Sequence, residues 1–331
     1  MDELQKLCRE IRKGKRYRRV IYPRTWSEND LIGDKVVRAF VFILKTRGCF
    51  WARHSGCTMC GYFNDSIPDI TEKEIREQLE IALKKYNGEK IVKIFTSGSF
   101  LDEREVSIDL QIKILKKFFE RADKISIESR PEFIKKMNHL EGISGNKILE
   151  MAMGLESAND RVLKYSINKG FTFSDWRNAA EEVLNRNMQL KTYILIKPPF
   201  LTEKEGIKDA LFSVKKVSDI SDTISFNPVA IHSNTLVDYL WKRGLYRPPW
   251  LWSVADVLEK TADIFEGQIK CDVVAGGKKR GAHNCGKCDA AFMDAVEQFT
   301  IYQNRDASKG LKCKCREEWL DSVEMEGFIK G

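Results

Sequence analysis

The stretch Cys49-Phe50-Trp51-Ala52-Arg53-His54-Ser55-Gly56-Cys57-Thr58-Met59-Cys60 decides how the rest of the chain is read. It follows an apolar run, residues 36–44, that has the pattern of a buried strand. Three thiolates on one loop leave one corner of a [4Fe–4S] cube without a protein ligand, so that iron can take a substrate or cofactor. The alternatives are unpaired core thiols, or a zinc loop completed by His54, since structural zinc favours four closed ligands.

Working outward, strand-like and helix-like segments alternate. Thr71-Glu72-Lys73-Glu74 is a capping box opening a helix with Ile75, Leu79 and Leu83 on one face. Residues 90–97, 125–128, 149–155, 193–196 and 223–226 read as strands. Residues 110–119, 134–140, 176–184 and 211–217 read as the helices between them. This order predicts an α/β fold with parallel strands and crossover helices, five or six units of a partial or complete (β/α) barrel. After Asn227-Pro228 the rhythm changes. The expected division is a basic arm over 1–35, a barrel over 36–235 and a C-terminal α+β lobe over 236–331, which includes a late strand over 268–274.

The chain has 331 residues, nine cysteines and a formal net charge of +8. No run is long and uncharged enough to span a membrane, and the N-terminus lacks the apolar core of a signal peptide. Clustered cysteines without an export signal point to metal sites in a reducing cytoplasm rather than to disulfides. Cys8 stands apart and reads as an ordinary thiol. The positive charge is uneven. Arg9, Arg12, Lys13, Lys15, Arg16, Arg18, Arg19 and Arg24 crowd one segment with Tyr17 and Tyr22 between them, and Lys278-Lys279-Arg280 forms a second run. Such runs can track a phosphate backbone or simply solvate an arm.

In a barrel of this kind the working residues lie where strands end and loops begin. The candidates there are Ser97, Gly98 and Ser99 after the second strand, where Gly98 would let backbone approach a ligand. Glu128 and Arg130 follow the third strand, Glu156 the fourth and Lys197 the fifth. Each alone can be a surface ion pair or a helix cap. Beside a three-cysteine loop they describe a pocket for a cofactor with an amine, a carboxylate and a ribose, which fits S-adenosylmethionine.

A second cysteine group, Cys285-Gly286-Lys287-Cys288 with Cys313-Lys314-Cys315, has the close pairing of a structural zinc site. A second iron–sulfur cluster is the rival, and Cys271 and His283 are spare ligands. Lys278, Lys279 and Arg280, with Lys287, Lys309, Lys312 and Lys314, mark this lobe and the N-terminal arm as a candidate RNA surface. Tyr246, Trp250 and Trp252 are either base-stacking groups or packing residues, with packing favoured for at least two.

The layout resembles the radical S-adenosylmethionine superfamily, although the usual spacing is C-x3-C-x2-C with an aromatic where Met59 stands. Glu128-Ser129-Arg130-Pro131-Glu132, Met153-Gly154-Leu155-Glu156-Ser157 and Ile167-Asn168-Lys169-Gly170 resemble the branch containing the radical domain of the elongator catalytic subunit. With Gly98-Ser99-Phe100-Leu101-Asp102, Lys197-Pro198-Pro199-Phe200-Leu201-Thr202-Glu203 and the C-terminal cysteines, the chain is similar to the family of archaeosine synthase radical subunits. That resemblance implies a partial (β/α)6 radical-SAM barrel with a small zinc-binding lobe. It implies a [4Fe–4S] cluster on Cys49, Cys57 and Cys60. It places Ser97, Gly98 and Ser99 on the methionyl part of the cofactor, and Glu128, Arg130 and Glu156 on its ribose or carboxylate, with Lys197 a further candidate. The implied partners are tRNA, a lysine-transferring archaeosine synthase subunit and an electron donor. The implied reaction cleaves a carbon–nitrogen bond in a lysine adduct of 7-cyano-7-deazaguanine at the tRNA elbow. The competing readings are a radical enzyme acting on another modified tRNA base, and a zinc-stabilised nucleic-acid-binding protein without catalysis.

Overall fold

The computed structural model describes residues 1–13 and 19–325. Lys15, Arg16, Tyr17 and Arg18 of the basic arm lie outside the described residues. The strands are β1 (Arg24–Ile32), β2 (Lys35–Ile43), β3 (Ile91–Phe95), β4 (Lys124–Ser129), β5 (Ile148–Glu156), β6 (Gln189–Ile196), β7 (Thr223–Pro228) and β8 (Gln268–Cys271). They lie side by side in chain order. β2 to β8 run parallel, and β1 pairs antiparallel with β2.

Local chemistry explains the punctuation. Thr71, Thr172 and Thr202 each accept a backbone N–H at a helix start, and Glu74, Asp175 and Glu205 reach back to the capping residue. Between β1 and β2 the loop is Gly33-Asp34, with Gly33 at φ +56°, the left-handed geometry that tight hairpins favour.

Residues 24–32, read as part of a basic arm, form this edge strand instead. β8 ends at Cys271, is shorter than the 268–274 expected, and pairs in parallel with β7. The late strand of the C-terminal segment thus lies in the same sheet as the barrel strands. Its aromatics Trp250, Trp252, Phe292, Phe299 and Trp319 join the same apolar core as the strands. Tyr246, Trp250 and Trp252 are all buried, so packing accounts for the three.

Strand side chains alternate between two faces. Phe40, Phe42, Val92, Ile94, Ile125, Ile127, Met151, Ile194, Ile224 and Ile269 join the core that the helices cover. The opposite parity is charged: Lys93, Lys124, Glu150, Lys191 and Lys270. Lys191 Nζ lies 2.6 Å from Glu150 Oε1, and Lys124 pairs with the other oxygen of that carboxylate. Lys93 lies 2.7 Å from Glu28 and also pairs with Asp30.

Asp30 of β1 also pairs with Lys270 of β8, and Gln268 Nε2 donates to the Gly33 carbonyl at 2.9 Å. The β1 hairpin thus bridges to the far edge of the curled half-barrel. Burial alone would raise the Asp30 carboxyl, but Lys93, Lys270 and Lys191 outweigh it and hold it well below the usual carboxylate range.

A carboxylate with a depressed folded pKa adds stability above its unfolded pKa and loses it as the pH falls. Asp30→Asn should therefore flatten the fall in stability below about pH 4. Near neutrality it should cost about 3–5 kcal/mol, because two buried lysines lose their shared partner. Denaturant titrations across pH check this, and a variant that tracks the wild type at every pH contradicts it.

Candidate active site

The first candidate site sits where β2, β3, β4 and β5 end. The short helix Phe50–His54 lies inside the 49–60 loop. Cys49 N donates to the Ser97 carbonyl at 3.3 Å, and a Cβ on Gly98 would lie 2.7 Å from both Cys49 N and Cα. A side chain at Gly98 would therefore meet the cysteine loop as well as the Glu105 carboxylate.

Ser99 N donates to Glu105 Oε1 at 2.9 Å, Thr46 Oγ1 bonds the other oxygen, and Arg130 N donates to Ser99 Oγ at 3.1 Å. Glu105 therefore ties the ends of β2 and β3 together. Burial pushes its carboxyl up to about 7 against the hydrogen bonds from Thr46 and Ser99. Sequence reasoning missed this residue, which stands in an acidic run with no spacing signal.

The back wall of the loop is Ile167-Asn168-Lys169-Gly170, quoted above only as a likeness. Asn168 Nδ2 donates to Ser55 Oγ at 2.6 Å and to the Gly56 carbonyl at 2.8 Å, while Trp51 Nε1 donates to the Asn168 carbonyl at 2.7 Å. Cys8, buried on the N-terminal helix, hydrogen-bonds Asn168 and feels the charge of Cys57.

Arg130 is buried, donates to Glu132 and to the Lys169 carbonyl, and lies against the Phe50, Trp51 and Phe171 rings. Lys169 Nζ lies 2.7 Å from Glu156 Oε1. Half-buried Glu128 hydrogen-bonds Tyr193. Burial raises its carboxyl to about 7, with Tyr193 and Lys191 opposing. Lys197, by contrast, is committed: its Nζ lies 2.6 Å from buried Glu203 and its carbonyl accepts from Tyr246 OH at 2.7 Å. That pair braces the chain at the end of β6.

Burial pushes the Cys60 thiol up to about 12 and also raises Cys49, with Arg130 pulling Cys49 the other way. Buried thiols lose their protons on taking a metal, and the cations Arg12, Arg130 and Lys169 near them offset the resulting charge. His54 is exposed, with its ring 5.3 Å from that of Trp51. The donor set fits an iron–sulfur cluster, whose thiolates ligate different irons, better than one zinc closed by His54.

The second site is compact. The Sγ atoms of Cys285, Cys288, Cys313 and Cys315 all lie within 4.8 Å of one another, with Cys285 to Cys313 at 3.6 Å and Cys288 to Cys315 at 3.7 Å. Cys271 and His283 are not members of that group. The Lys287 amide lowers the exposed Cys285 thiol to about 7.

Of the basic run nearby, Lys278 and Lys279 are exposed. Arg280 donates to Asp238 Oδ1 at 2.6 Å and to the Ile231 carbonyl at 3.1 Å, over the Trp241 ring. Arg280 is half-buried and ties this run to the helix that carries Asp238. No described helix is long and apolar enough to cross a membrane.

The chain matches no protein-family model. Among solved structures it is similar to the archaeal Elp3 of Methanocaldococcus infernus, with a TM-score of 0.51 and 16% identity, over 83% of this chain and 64% of that one. It is similar to methylornithine synthase, with a TM-score of 0.50 and 15% identity, over 81% of this chain and 69% of that one. The shared fold is a partial barrel of parallel strands with helices between them. Among curated proteins it is 38% identical to archaeosine synthase subunit beta of Methanosarcina acetivorans over 93% of this chain and 91% of that one. It is 38% identical to the protein of the same name from Thermococcus kodakarensis, over 90% and 96%. The chain therefore belongs to the archaeosine synthase subunit beta family.

Proposed function

We propose that this chain is the radical subunit of an archaeosine-forming system, cleaving the carbon–nitrogen bond of a lysine-adducted deazaguanine in tRNA. The observation that carries the reading is the family relationship over nine-tenths of the chain, joined to a three-thiol loop at the strand ends. Cys49, Cys57 and Cys60 would hold a [4Fe–4S] cluster, and S-adenosylmethionine bound there would supply a 5′-deoxyadenosyl radical.

The chain's own residues do the rest. The backbone of Ser97, Gly98 and Ser99 borders the methionyl end. Glu128 and Glu156, half-buried carboxylates, suit ribose hydroxyls or an amine. Arg130 puts positive charge beside Cys49, and Phe50 and Trp51 cover the loop and exclude water. The reaction needs an electron donor, and the name of the relatives implies a partner subunit, which would attach the lysine.

The test is anaerobic incubation of the iron-reconstituted protein with lysine-adducted tRNA, S-adenosylmethionine and a reductant, followed by mass analysis of nucleosides. Archaeosine and 5′-deoxyadenosine should appear together and vanish in Cys57→Ala. Formation of 5′-deoxyadenosine with conversion of a different base would sink the substrate assignment, and its absence would sink the enzyme class.

For the C-terminal site the reading is a single structural zinc. Tetrahedral Zn–S bonds of about 2.3 Å place neighbouring sulfurs about 3.8 Å apart, close to the spacing of these thiols. Zinc should persist when Cys49, Cys57 and Cys60 are changed to Ala and be lost in Cys285→Ser with Cys313→Ser; iron at that site contradicts it. The exposed Lys278 and Lys279 lie on the proposed tRNA face. Changing both to Ala should lower the log–log salt slope of tRNA binding by about 1–2, and an unchanged slope removes them from that face.

A further inference from the structure

The N-terminal helix Glu3–Arg12 ends on a residue whose side chain reaches the cysteine loop. Arg12 Nη2 donates to the Cys57 carbonyl at 2.5 Å and to the Cys60 carbonyl at 3.3 Å, while Nη1 donates to the Ser55 carbonyl. The guanidinium lies 4.6 Å from the centre of the Phe63 ring. Between these carbonyls stands Gly56 at φ +85°, where a Cβ would come within 1.5 Å of Arg12 Nη1. A side chain there would have to displace the guanidinium and would be strained at that φ.

The helix is itself seated on the loop. Ser55 Oγ donates to the Gln5 carbonyl at 3.3 Å, and Cys8 is buried beside Asn168. Three carbonyls converging in a buried loop repel one another and need donors. A planar guanidinium meets several at once with fixed geometry, whereas an ammonium acts as a point charge.

We propose that Arg12 is a positioning residue for the radical centre, fixing the shape of the 49–60 loop and raising the reduction potential of the cluster the loop holds. The inference rests on the cluster reading above. The potential of a thiolate-bound cluster depends on the charge and hydrogen bonding around it. Arg12 places one full positive charge against the backbone of two of the three ligands. That charge favours the reduced, more negative state, which is the state that donates the electron to the cofactor. The Cys57 and Cys60 carbonyls are both tied to Arg12.

The test compares Arg12→Met and Arg12→Lys in the full chain. Amide exchange of Ser55 and Thr58, whose N–H groups bond Trp51 and Ile167 carbonyls at 2.9 Å, reads the loop in the iron-free protein. Electron paramagnetic resonance titration reads the midpoint potential after reconstitution. Arg12→Met should speed exchange at both amides and move the midpoint to more negative values. Arg12→Lys, which keeps the charge without the fork, should recover most of the midpoint while leaving exchange fast. A midpoint in Arg12→Met equal to the wild type overturns the proposal, whatever happens to exchange, because a merely structural role moves exchange alone. In a second arm, Gly56→Ala should destabilise the wild-type background more than the Arg12→Ala background, since only the first contains the clash; equal costs overturn it as well. If the wild type takes up no iron, the cluster reading has failed separately, and unaltered exchange in Arg12→Met then refutes the clamp on its own.

Discussion

The backbone of Cys49 rests against the Ser97–Gly98 turn with no room for a side chain between them. That contact joins the loop after β2 to the loop after β3, and the proposed chemistry depends on it. It places Cys49 within reach of the Arg130 charge and fixes where the following turn, with Cys57 and Cys60, can go. Glu105 reinforces the join from beneath by accepting from both strand ends. Its burial is costly for a carboxylate, and the two hydrogen bonds offset part of that cost. Asn168 and Arg12 hold the loop through its carbonyls. A segment of irregular backbone is thereby fixed by groups from three distant parts of the chain, as a site that must present three thiols in one geometry requires.

The same sheet solves a second problem with charge. A half-barrel has two free edges and an inner face that the helices do not cover. Here Asp30, on the hairpin at one edge, reaches Lys93 in the middle and Lys270 at the other edge. Glu150 draws Lys124 and Lys191 together deeper in the sheet. Such pairs add little net stability over apolar packing. They are specific in register, however, because a one-residue slip of any strand would turn its lysine into the apolar core. Glu128 and Glu156 continue the inner face toward the cysteine loop, where polar groups can serve a ligand.

The alternation of strand and helix, the clustered cysteines and the polar strand ends were legible because each leaves a local signature. Spacing alone gave the metal-binding character of Cys285, Cys288, Cys313 and Cys315, whose thiols converge. β1 was hidden because its residues, Arg24 to Ile32 in sequence, are largely polar and exposed, so the strand is defined by its pairing rather than by its pattern. The inner lysines were visible as alternation in Lys124-Ile125-Ser126-Ile127-Glu128, but their carboxylate partners come from other strands. The ion pairs of Lys197 and Arg280 were not legible, because their partners Glu203 and Asp238 are brought in by the folded chain. Arg12 lay within a run of basic residues, and only its seat among three carbonyls sets it apart from neighbours such as exposed Lys13.

The most direct test of the central claim is electron paramagnetic resonance of the reduced, iron-reconstituted protein, recorded without and with S-adenosylmethionine. A loop that leaves one iron without a protein ligand predicts a cubane cluster signal that shifts when the cofactor is added and is lost in Cys49→Ala. A protein that takes up no iron, or whose signal is indifferent to the cofactor, would contradict the account.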